Sequence, residues 1–424
     1  MPARNIARDA DLAFGGTNPA LNLSLYPRPE NGQRRAGFAT MTNEDLQALL
    51  GAMLESGTGV SDCLFINGKP PLVEHFGKLH ELPMEEEGAT LHPTHINAMA
   101  TLLMGDNERL RADLASSGSC DTSYSLGHIA RFRVNIFRQN GNLGIVMRKL
   151  QSQIPTLEGL GLPPIFQKMT QEKFGLIFVT GSTGSGKTTT LAAILNELNR
   201  TQEIHVVTLE DPIEFLHPHQ LAAFSQRELG KDFSDFATGL RAALRQAPKV
   251  ILLGEIRDRD TMEVALSAAE TGHLVLSTLH TINAGQSINR ILGLFTNDEE
   301  KQVRERLADV LRYVVSQRLV SKKDDDGRLL VTEIMGSSLR TREALIYGEG
   351  ENRTFQEIIE AGSTLGWHSF DQSLMRAFEE DLITEETALL FCTHKNKMMR
   401  DLEMAKKLRY PIDDEPSGLK MASL

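Results

Sequence analysis

One glycine-rich octapeptide constrains this chain more than any other feature of its sequence. It reads Gly181-Ser182-Thr183-Gly184-Ser185-Gly186-Lys187-Thr188. An apolar run from Gly175 to Thr180 precedes it, and an apolar stripe at helical spacing, from Leu191 to Leu198, follows it. A strand, a GxxxxGK[ST] loop and a helix in that order predict a phosphate-binding loop at the start of a helix. The alternative is a glycine-rich turn with no ligand.

The residue types of this loop predict which ligand it takes. Glycines let backbone N–H groups turn toward phosphate oxygens, and the helix dipole favours negative charge at that end. Lys187 can reach the β- and γ-phosphates, and Thr188 can ligate Mg²⁺. We therefore predict a site for ATP and Mg²⁺. The predicted binding residues are Ser182, Thr183, Gly184, Ser185, Gly186, Lys187, Thr188 and Thr189.

Hydrolysis also requires carboxylates, one near the metal ion and one that orients or deprotonates the attacking water. Two apolar strands end in acids, the first in Glu210 and Asp211 and the second in Glu255. Ligands of a doubly wound sheet lie beyond the carboxyl ends of its strands, so these acids are expected to face the phosphates. Solvated acids that only end strands are the alternative. Glu214 is not included in the predicted site.

Two histidines flank a further apolar strand. His273 precedes this strand and His280 follows it. A lone histidine is more often structural than catalytic, but a pair beside a predicted phosphate site makes a catalytic role a hypothesis as well. A metal site would need a third ligand, and the sequence shows none.

The chain is long enough for more than one domain, because 424 residues exceed the size at which a single core usually stops growing. Apolar strands alternate with helical stretches in its middle part, which is typical of a mainly parallel sheet covered by helices. After about Gln317 the pattern indicates charged helices. The predicted parts are a flexible arm (1–40), a small α/β domain (41–150), a linker (151–165), an α/β domain with the phosphate loop (166–335), a helical region (336–408) and a flexible tail (409–424).

The composition of the chain limits where the protein can be located and which partners it can bind. No stretch approaches the roughly 18 apolar residues that span a bilayer, and the N-terminus lacks the pattern of a secretory signal. Three dispersed cysteines supply neither a disulfide framework nor a zinc module. We therefore expect a cytoplasmic protein whose membrane contact is peripheral. The formal charge of −11 argues against nucleic acid as a partner.

The small N-terminal domain ends in a strand with two different faces. Alternation over residues 131–136 puts apolar side chains on one face and both Arg131 and Arg133 on the other. Two arginines therefore share one polar face, which by itself is compatible with a solvated strand face.

Together and in this order, the motifs resemble the secretion-type ATPase family, and within it the pilus-retraction ATPases of twitching motility (PilT/PilU). The resemblance runs from about residue 59 to about residue 400. Besides the phosphate loop, it rests on Gly59-Val60-Ser61-Asp62, Arg131-Phe132-Arg133-Val134-Asn135, Glu210-Asp211-Pro212-Ile213-Glu214-Phe215, Gln226-Arg227-Glu228, Gly254-Glu255-Ile256-Arg257-Asp258 and Ala269-Glu270-Thr271-Gly272-His273. The implied fold is an α/β RecA-like P-loop ATPase domain with a smaller PAS-like N-terminal α/β domain and C-terminal helices.

The resemblance also implies roles for the acids and histidines. Glu210 resembles the catalytic glutamate of the family's Asp box. Glu255 resembles the acid of its atypical Walker B motif, which would hold Mg²⁺ together with Thr188. His273 and His280 resemble its His box.

The implied assembly is a homo-oligomer, because family members form hexameric rings. Their N-terminal domains present arginines to the nucleotide of a neighbouring subunit, so Arg131, Arg133 and Arg148 are the implied trans-acting residues. The implied further partners are an inner-membrane pilus platform protein and a paralogous retraction ATPase. The implied function is ATP hydrolysis coupled to pilus disassembly.

Some features separate the branches of the family. Extension-type relatives usually carry a four-cysteine zinc module, which three dispersed cysteines cannot form, so retraction is favoured. The segments 244–248 and 366–372 look more like PilU than PilT. Lys249 stands where the family usually has an acid, and the C-terminal retraction motif is kept only loosely in residues 342–348. The alternatives are a secretion-system or accessory (PilU-like) motor and a nucleotide-binding regulator that does not hydrolyse ATP.

Overall fold

The structure is a computed structural model that describes residues 41–82, 90–150, 153–324, 327–351 and 353–409. The predicted arm, residues 151–152 of the linker, and residues 410–424 of the predicted tail lie outside these ranges. The chain divides into two compact units after residue 152.

The first unit contains one antiparallel sheet of six strands. Its elements are α1 (Asn43–Glu55), β1 (Val60–Phe65), β2 (Leu72–His75), β3 (Lys78–Glu81), α2 (Pro93–Met104), α3 (Glu108–Ser116), β4 (Ser119–Leu126), β5 (Ala130–Gln139) and β6 (Asn142–Leu150). The strand order is β3-β2-β1-β6-β5-β4. Such a sheet with helices inserted before β4 is the small α/β domain that the resemblance predicts.

Apolar periodicity explains the core of this unit. Helix α1 starts at a capping box formed by Thr42 and Asp45. It buries Leu46, Leu49, Leu50 and Met53, which share one helical face. The apolar side chains of β5 are buried in the same core as that face, and its arginines lie on the other side of the sheet.

The second unit contains a seven-stranded sheet and eleven of the α-helices assigned in the described ranges. Up to the last strand its elements are α4 (Ile165–Met169), β7 (Gly175–Thr180), α5 (Lys187–Thr201), β8 (His205–Glu210), β9 (Ala223–Glu228), α6 (Phe236–Ala243), β10 (Val250–Leu253), α7 (Arg259–Glu270), β11 (Leu274–Leu279), α8 (Ala284–Leu292), α9 (Asn297–Val310), β12 (Leu311–Ser321) and β13 (Arg328–Gly336). The C-terminal helices are α10 (Leu339–Tyr347), α11 (Phe355–Ala361), α12 (Phe370–Glu379), α13 (Glu385–Phe391) and α14 (Lys395–Arg409).

The sheet of the second unit is mainly parallel, as predicted. Its order is β13-β12-β7-β11-β10-β8-β9, and only β12 and β13 pair antiparallel. Every residue of β7, β10 and β11 is buried, which explains why these strands are nearly continuous apolar runs. Asp235, Asp258 and Asn283 cap the starts of α6, α7 and α8 with their side chains.

The predicted change to helix after about Gln317 is wrong. Strand β12 continues to Ser321, and β13 pairs with it along nine residues of register. The charged residues that follow Ser321 belong to the connection between two strands, and the helical region begins only at α10. Val320 and Val331 are buried with α12 and α14 in a separate small core. In the described ranges, no helix is both long and apolar enough to cross a membrane.

Candidate active site

The phosphate loop connects the end of β7 to the start of α5. Gly184 and Gly186 have φ angles of 78° and 89°, which glycine adopts without strain. Gly181 has a φ of 146°, and a Cβ atom there would collide with Ser185 Oγ and lie 2.6 Å from the carbonyl oxygen of Gln317. The close approach of two backbone segments therefore requires glycine at position 181.

Lys187 lies at the base of this loop and is buried. Its Nζ donates hydrogen bonds to the carbonyl oxygens of Gly181 (2.9 Å) and Ser182 (3.0 Å). Burial lowers the pKa of Lys187, while the charges of Glu255 and Glu214 act to raise it. A buried ammonium group is a suitable donor for a phosphate group.

The other predicted loop residues differ in exposure. Ser182, Thr183 and Gly184 are exposed, whereas Thr188 and Thr189 are half-buried. The hydroxyl of Ser185 is buried and has no hydrogen-bond partner among the described residues. A buried hydroxyl and a buried ammonium group in one glycine-rich turn fit the phosphates of a nucleotide, with Thr188 as the hydroxyl available to a magnesium ion.

Glu210 ends β8 and is buried. Burial raises the pKa of Glu210 to about 7, although hydrogen bonds from Thr208 Oγ1 (2.6 Å) and Gln226 Nε2 (3.4 Å) favour its ionised form. A carboxyl group with a pKa near neutral pH can accept a proton during turnover. Asp211, the next residue, is exposed.

Glu255 follows β10, next to β8 in the sheet, and is largely buried. One carboxylate oxygen forms an ion pair with Arg257, and the other lies 3.3 Å from Nε2 of His280. His280 directly follows β11, the strand between β10 and β7. The structure thus brings Glu255 and His280 together, and the charge of Glu255 acts on Lys187.

His273 lies elsewhere. It precedes β11, whereas His280 follows it, and a six-residue strand separates the two by roughly 20 Å. Nδ1 of His273 lies 3.0 Å from the carbonyl oxygen of Ala268, at the end of α7. The structure therefore does not bring His273 to the phosphate loop of its own subunit, where the paired-histidine hypothesis expects it.

Three residues that were not predicted also belong to this region. Glu214 acts electrostatically on both Lys187 and Glu210. Gln226, on the neighbouring strand β9, contacts Glu210. Gln317 lies on β12, and its Nε2 donates a 2.7 Å hydrogen bond to Thr190 of α5. Glu214 stands in the same acidic motif as Glu210, so its position in the sequence could have identified it as a residue of this site.

Strand β12 also connects the phosphate loop with the C-terminal helices. Ser316 accepts a 3.0 Å hydrogen bond from Thr180 at the end of β7. Arg318 donates a hydrogen bond to the carbonyl oxygen of Phe391 at the end of α13, and its guanidinium carbon lies 3.8 Å from the ring centre of Phe370 on α12. Three consecutive residues of one strand therefore contact the loop region and the helical region.

The three predicted arginines share the polar face of the N-terminal sheet. Arg133 on β5 pairs directly with Arg148 on β6, and Arg131 lies two residues before Arg133. Arg131 donates a 3.1 Å hydrogen bond to Ser123, and Arg148 donates one of 2.9 Å to Asp62. Arg133 is exposed. The structure thus brings the three arginines together.

The second unit has a mainly parallel sheet with a glycine-rich phosphate loop after β7, an acid at the end of β8 and another acid after β10. These features define a P-loop ATPase with a RecA-like fold. Sequence comparison gives the particular family. The chain belongs to the family described as type II/IV secretion system protein, whose model matches residues 114–377.

The relatives of the chain include named pilus ATPases. It is 36% identical over 364 residues to the type IV pilus ATPase PilU of Pseudomonas aeruginosa, covering 86% of this chain and 92% of PilU. It is 38% identical over 330 residues to the type IV pilus retraction ATPase PilT of the same organism, covering 78% of this chain and 93% of PilT. The crystal structure of the pilus retraction motor PilT with bound ADP matches with a TM-score of 0.74 and 34% identity, over 84% of this chain and 99% of that one. The predicted family is confirmed.

Proposed function

We propose that this protein hydrolyses ATP at the phosphate loop and uses the energy to withdraw pilin subunits from a type IV pilus. The observation that carries the proposal is a buried glutamate, Glu210, whose pKa of about 7 suits a general base, at the strand edge that also carries the loop. Similarity to PilT and PilU over most of the chain supports the choice of pilus retraction.

The proposed chemistry assigns one task to each group. Glu210 takes a proton from water as the water oxygen attacks the terminal phosphorus, and the bond to the bridging oxygen breaks to release ADP. Lys187 binds the terminal phosphates, and Thr188 with Glu255 would hold the metal ion. Mg²⁺, when bound, neutralises charge on the phosphate oxygens. His280 orients Glu255 through their 3.3 Å contact.

The proposed assembly is a hexameric ring in which the arginine face of one subunit meets the nucleotide of the next. Arg131, Arg133 and Arg148 would stabilise charge that develops on the phosphates, and this would link hydrolysis to movement between subunits. The ring would work at the cytoplasmic face of the inner membrane, on the platform protein of the pilus. Its contact with the membrane would be through that protein.

A second candidate function is that of an accessory motor beside a paralogous retraction ATPase. The match to PilU spans 86% of this chain, against 78% for the match to PilT. Comparing twitching in strains that lack this protein, the paralogue or both would separate an independent motor from an accessory one.

Phosphate release by the purified full-length protein tests the enzymatic proposal. We expect turnover by the wild type, at least a hundredfold loss in Glu255→Ala, and wild-type turnover in a control with exposed Glu158 changed to Ala. Wild-type protein that binds ATP without turnover, even with pilus components added, would instead be a nucleotide-binding regulator. In cells that lack the protein, excess surface pili would support retraction, and bald cells would support assembly.

A further inference from the structure

A buried carboxylate lies beside the three arginines of the N-terminal sheet. Asp62 is on β1, and its side chain is only 8% exposed. Its Oδ1 accepts the 2.9 Å hydrogen bond from Nε of Arg148 on β6. A carboxylate removed from water needs a charged or hydrogen-bonding partner, and Arg148 supplies both.

Asp62, Arg148 and Arg133 form one row across three neighbouring strands. Asp62 is paired with Arg148 between β1 and β6, and Arg148 is paired with Arg133 between β6 and β5. Residues directly opposite in antiparallel strands have Cβ atoms about 4.5–5.5 Å apart, and like charges at that distance repel. The acid at the end of the row offsets the repulsion between the two guanidinium groups.

The ion pair leaves the outer end of Arg148 accessible. Its side chain is 70% exposed although Nε is bound to a buried acid. The two terminal nitrogens of a guanidinium group carry four of its five N–H donors. Arg148 is therefore fixed at its inner nitrogen while its outer donors can reach an anion.

We propose that Asp62 is a positioning residue that holds Arg148 ready for the phosphates of a nucleotide on another subunit. The inference rests on the proposed function, in which Arg148 acts across the subunit interface. A side chain that is already fixed loses less conformational freedom when the interface closes. Asp62 itself contacts no reacting atom and acts through Arg148.

Phosphate release by the assembled full-length protein, measured against ATP concentration, tests this role. Asp62→Asn keeps the size of the side chain and removes its charge. We expect kcat to fall about tenfold to a hundredfold, as for other small displacements of a catalytic group. KM for ATP should stay within about twofold, because the phosphate loop is unchanged. Asp121→Asn is the matched control, since this carboxylate of β4 in the same sheet accepts a hydrogen bond from Asn135.

The double variant Asp62→Asn with Arg148→Gln decides whether Asp62 acts through Arg148. If it does, the double variant has the same kcat as Arg148→Gln alone. A double variant much slower than Arg148→Gln would overturn the inference. Arg148→Gln alone leaves the buried Asp62 carboxylate without its charged partner, so the rates are compared at a temperature well below the melting temperatures of both variants.

The outcomes separate this inference from the proposed function. Normal kcat in Asp62→Asn with a slow Arg148→Gln overturns only the role of Asp62. Normal kcat in Arg148→Gln overturns both that role and the trans-acting role of Arg148. Absence of phosphate release by the wild type overturns the proposed function itself.

Discussion

The hydrogen bond from Thr208 to Glu210 opposes the effect of burial on the pKa of the proposed base. Thr208 is fully buried on β8, and its hydroxyl donates to Glu210 at 2.6 Å. That bond lowers the pKa of Glu210, which burial raises to about 7. Replacing Thr208 by Val removes the donor and keeps the shape, so the pKa of Glu210 should rise further.

The size of this rise follows from the strength of the bond. A hydrogen bond to a charged group contributes about 1.5–3 kcal/mol, and one pH unit corresponds to about 1.4 kcal/mol. Thr208→Val should therefore move the acid limb of the activity profile by about one to two pH units toward higher pH. At pH 7 about half of the wild-type sites are ionised, against about 1–10% in the variant.

The assay is kcat/KM for phosphate release between pH 5.5 and 9, with excess Mg²⁺. Thr208→Val should be about fivefold to fiftyfold slower than the wild type at pH 7 and within about twofold of it at pH 9. The terminal phosphate of ATP also titrates, but equally in both proteins. Thr332→Val is the control, because Thr332 is a buried threonine of the same sheet that bonds His368 instead.

Two results would refute this reasoning. A wild-type profile that is flat from pH 6 to pH 8 would mean that no group with a pKa near 7 has to be ionised. A Thr208→Val defect that is constant at every pH would show that the variant changes geometry and leaves the pKa of Glu210 unaltered.

Two further predictions concern stability and binding. Because the folded-state pKa of Glu210 is raised from 4.5 to about 7, ionising it destabilises the folded protein progressively as the pH rises through this interval. Glu210→Gln should thus raise the free energy of unfolding by about 3 kcal/mol at pH 8 and leave it unchanged at pH 4. Urea titrations at the two pH values measure this, and an equal increase at both would contradict the prediction. Gly181→Ala should weaken binding of a fluorescent ADP analogue about tenfold or more, because its Cβ would lie 2.6 Å from the carbonyl oxygen of Gln317. Gly51→Ala, on helix α1, meets no atom within 4 Å and needs no left-handed backbone, so it should leave binding unchanged.

Local patterns explain why much of the second unit could be predicted from the sequence. The strand, glycine loop and helix around Lys187 are contiguous, so their order alone identifies the phosphate loop. Glu210 ends one buried strand and Glu255 lies two residues after another, and parallel strands place such residues at one edge of a sheet. His273 shows the limit of this reasoning, because a residue before a strand lies at the opposite edge.

Contacts between distant residues explain what could not be predicted. Asp62 and Arg148 are 86 residues apart, and only the order of strands in the sheet makes them neighbours. Gln317 reaches α5 across 127 residues for the same reason. The helical expectation after Gln317 failed because charged residues in a strand connection resemble those of an exposed helix.

Strand β12 has a mechanical consequence for the second unit. Neighbouring residues of a strand project to opposite faces of the sheet, so Gln317 and Arg318 contact different helices. Gln317 is hydrogen-bonded to α5, which follows the phosphate loop. Arg318 contacts α12 and α13 on the other face. A strand is stiff along its length, so a displacement of β12 at its loop contacts is carried into α12 and α13 without any intervening hinge. We therefore expect α12 and α13 to move together with the phosphate loop of the second unit.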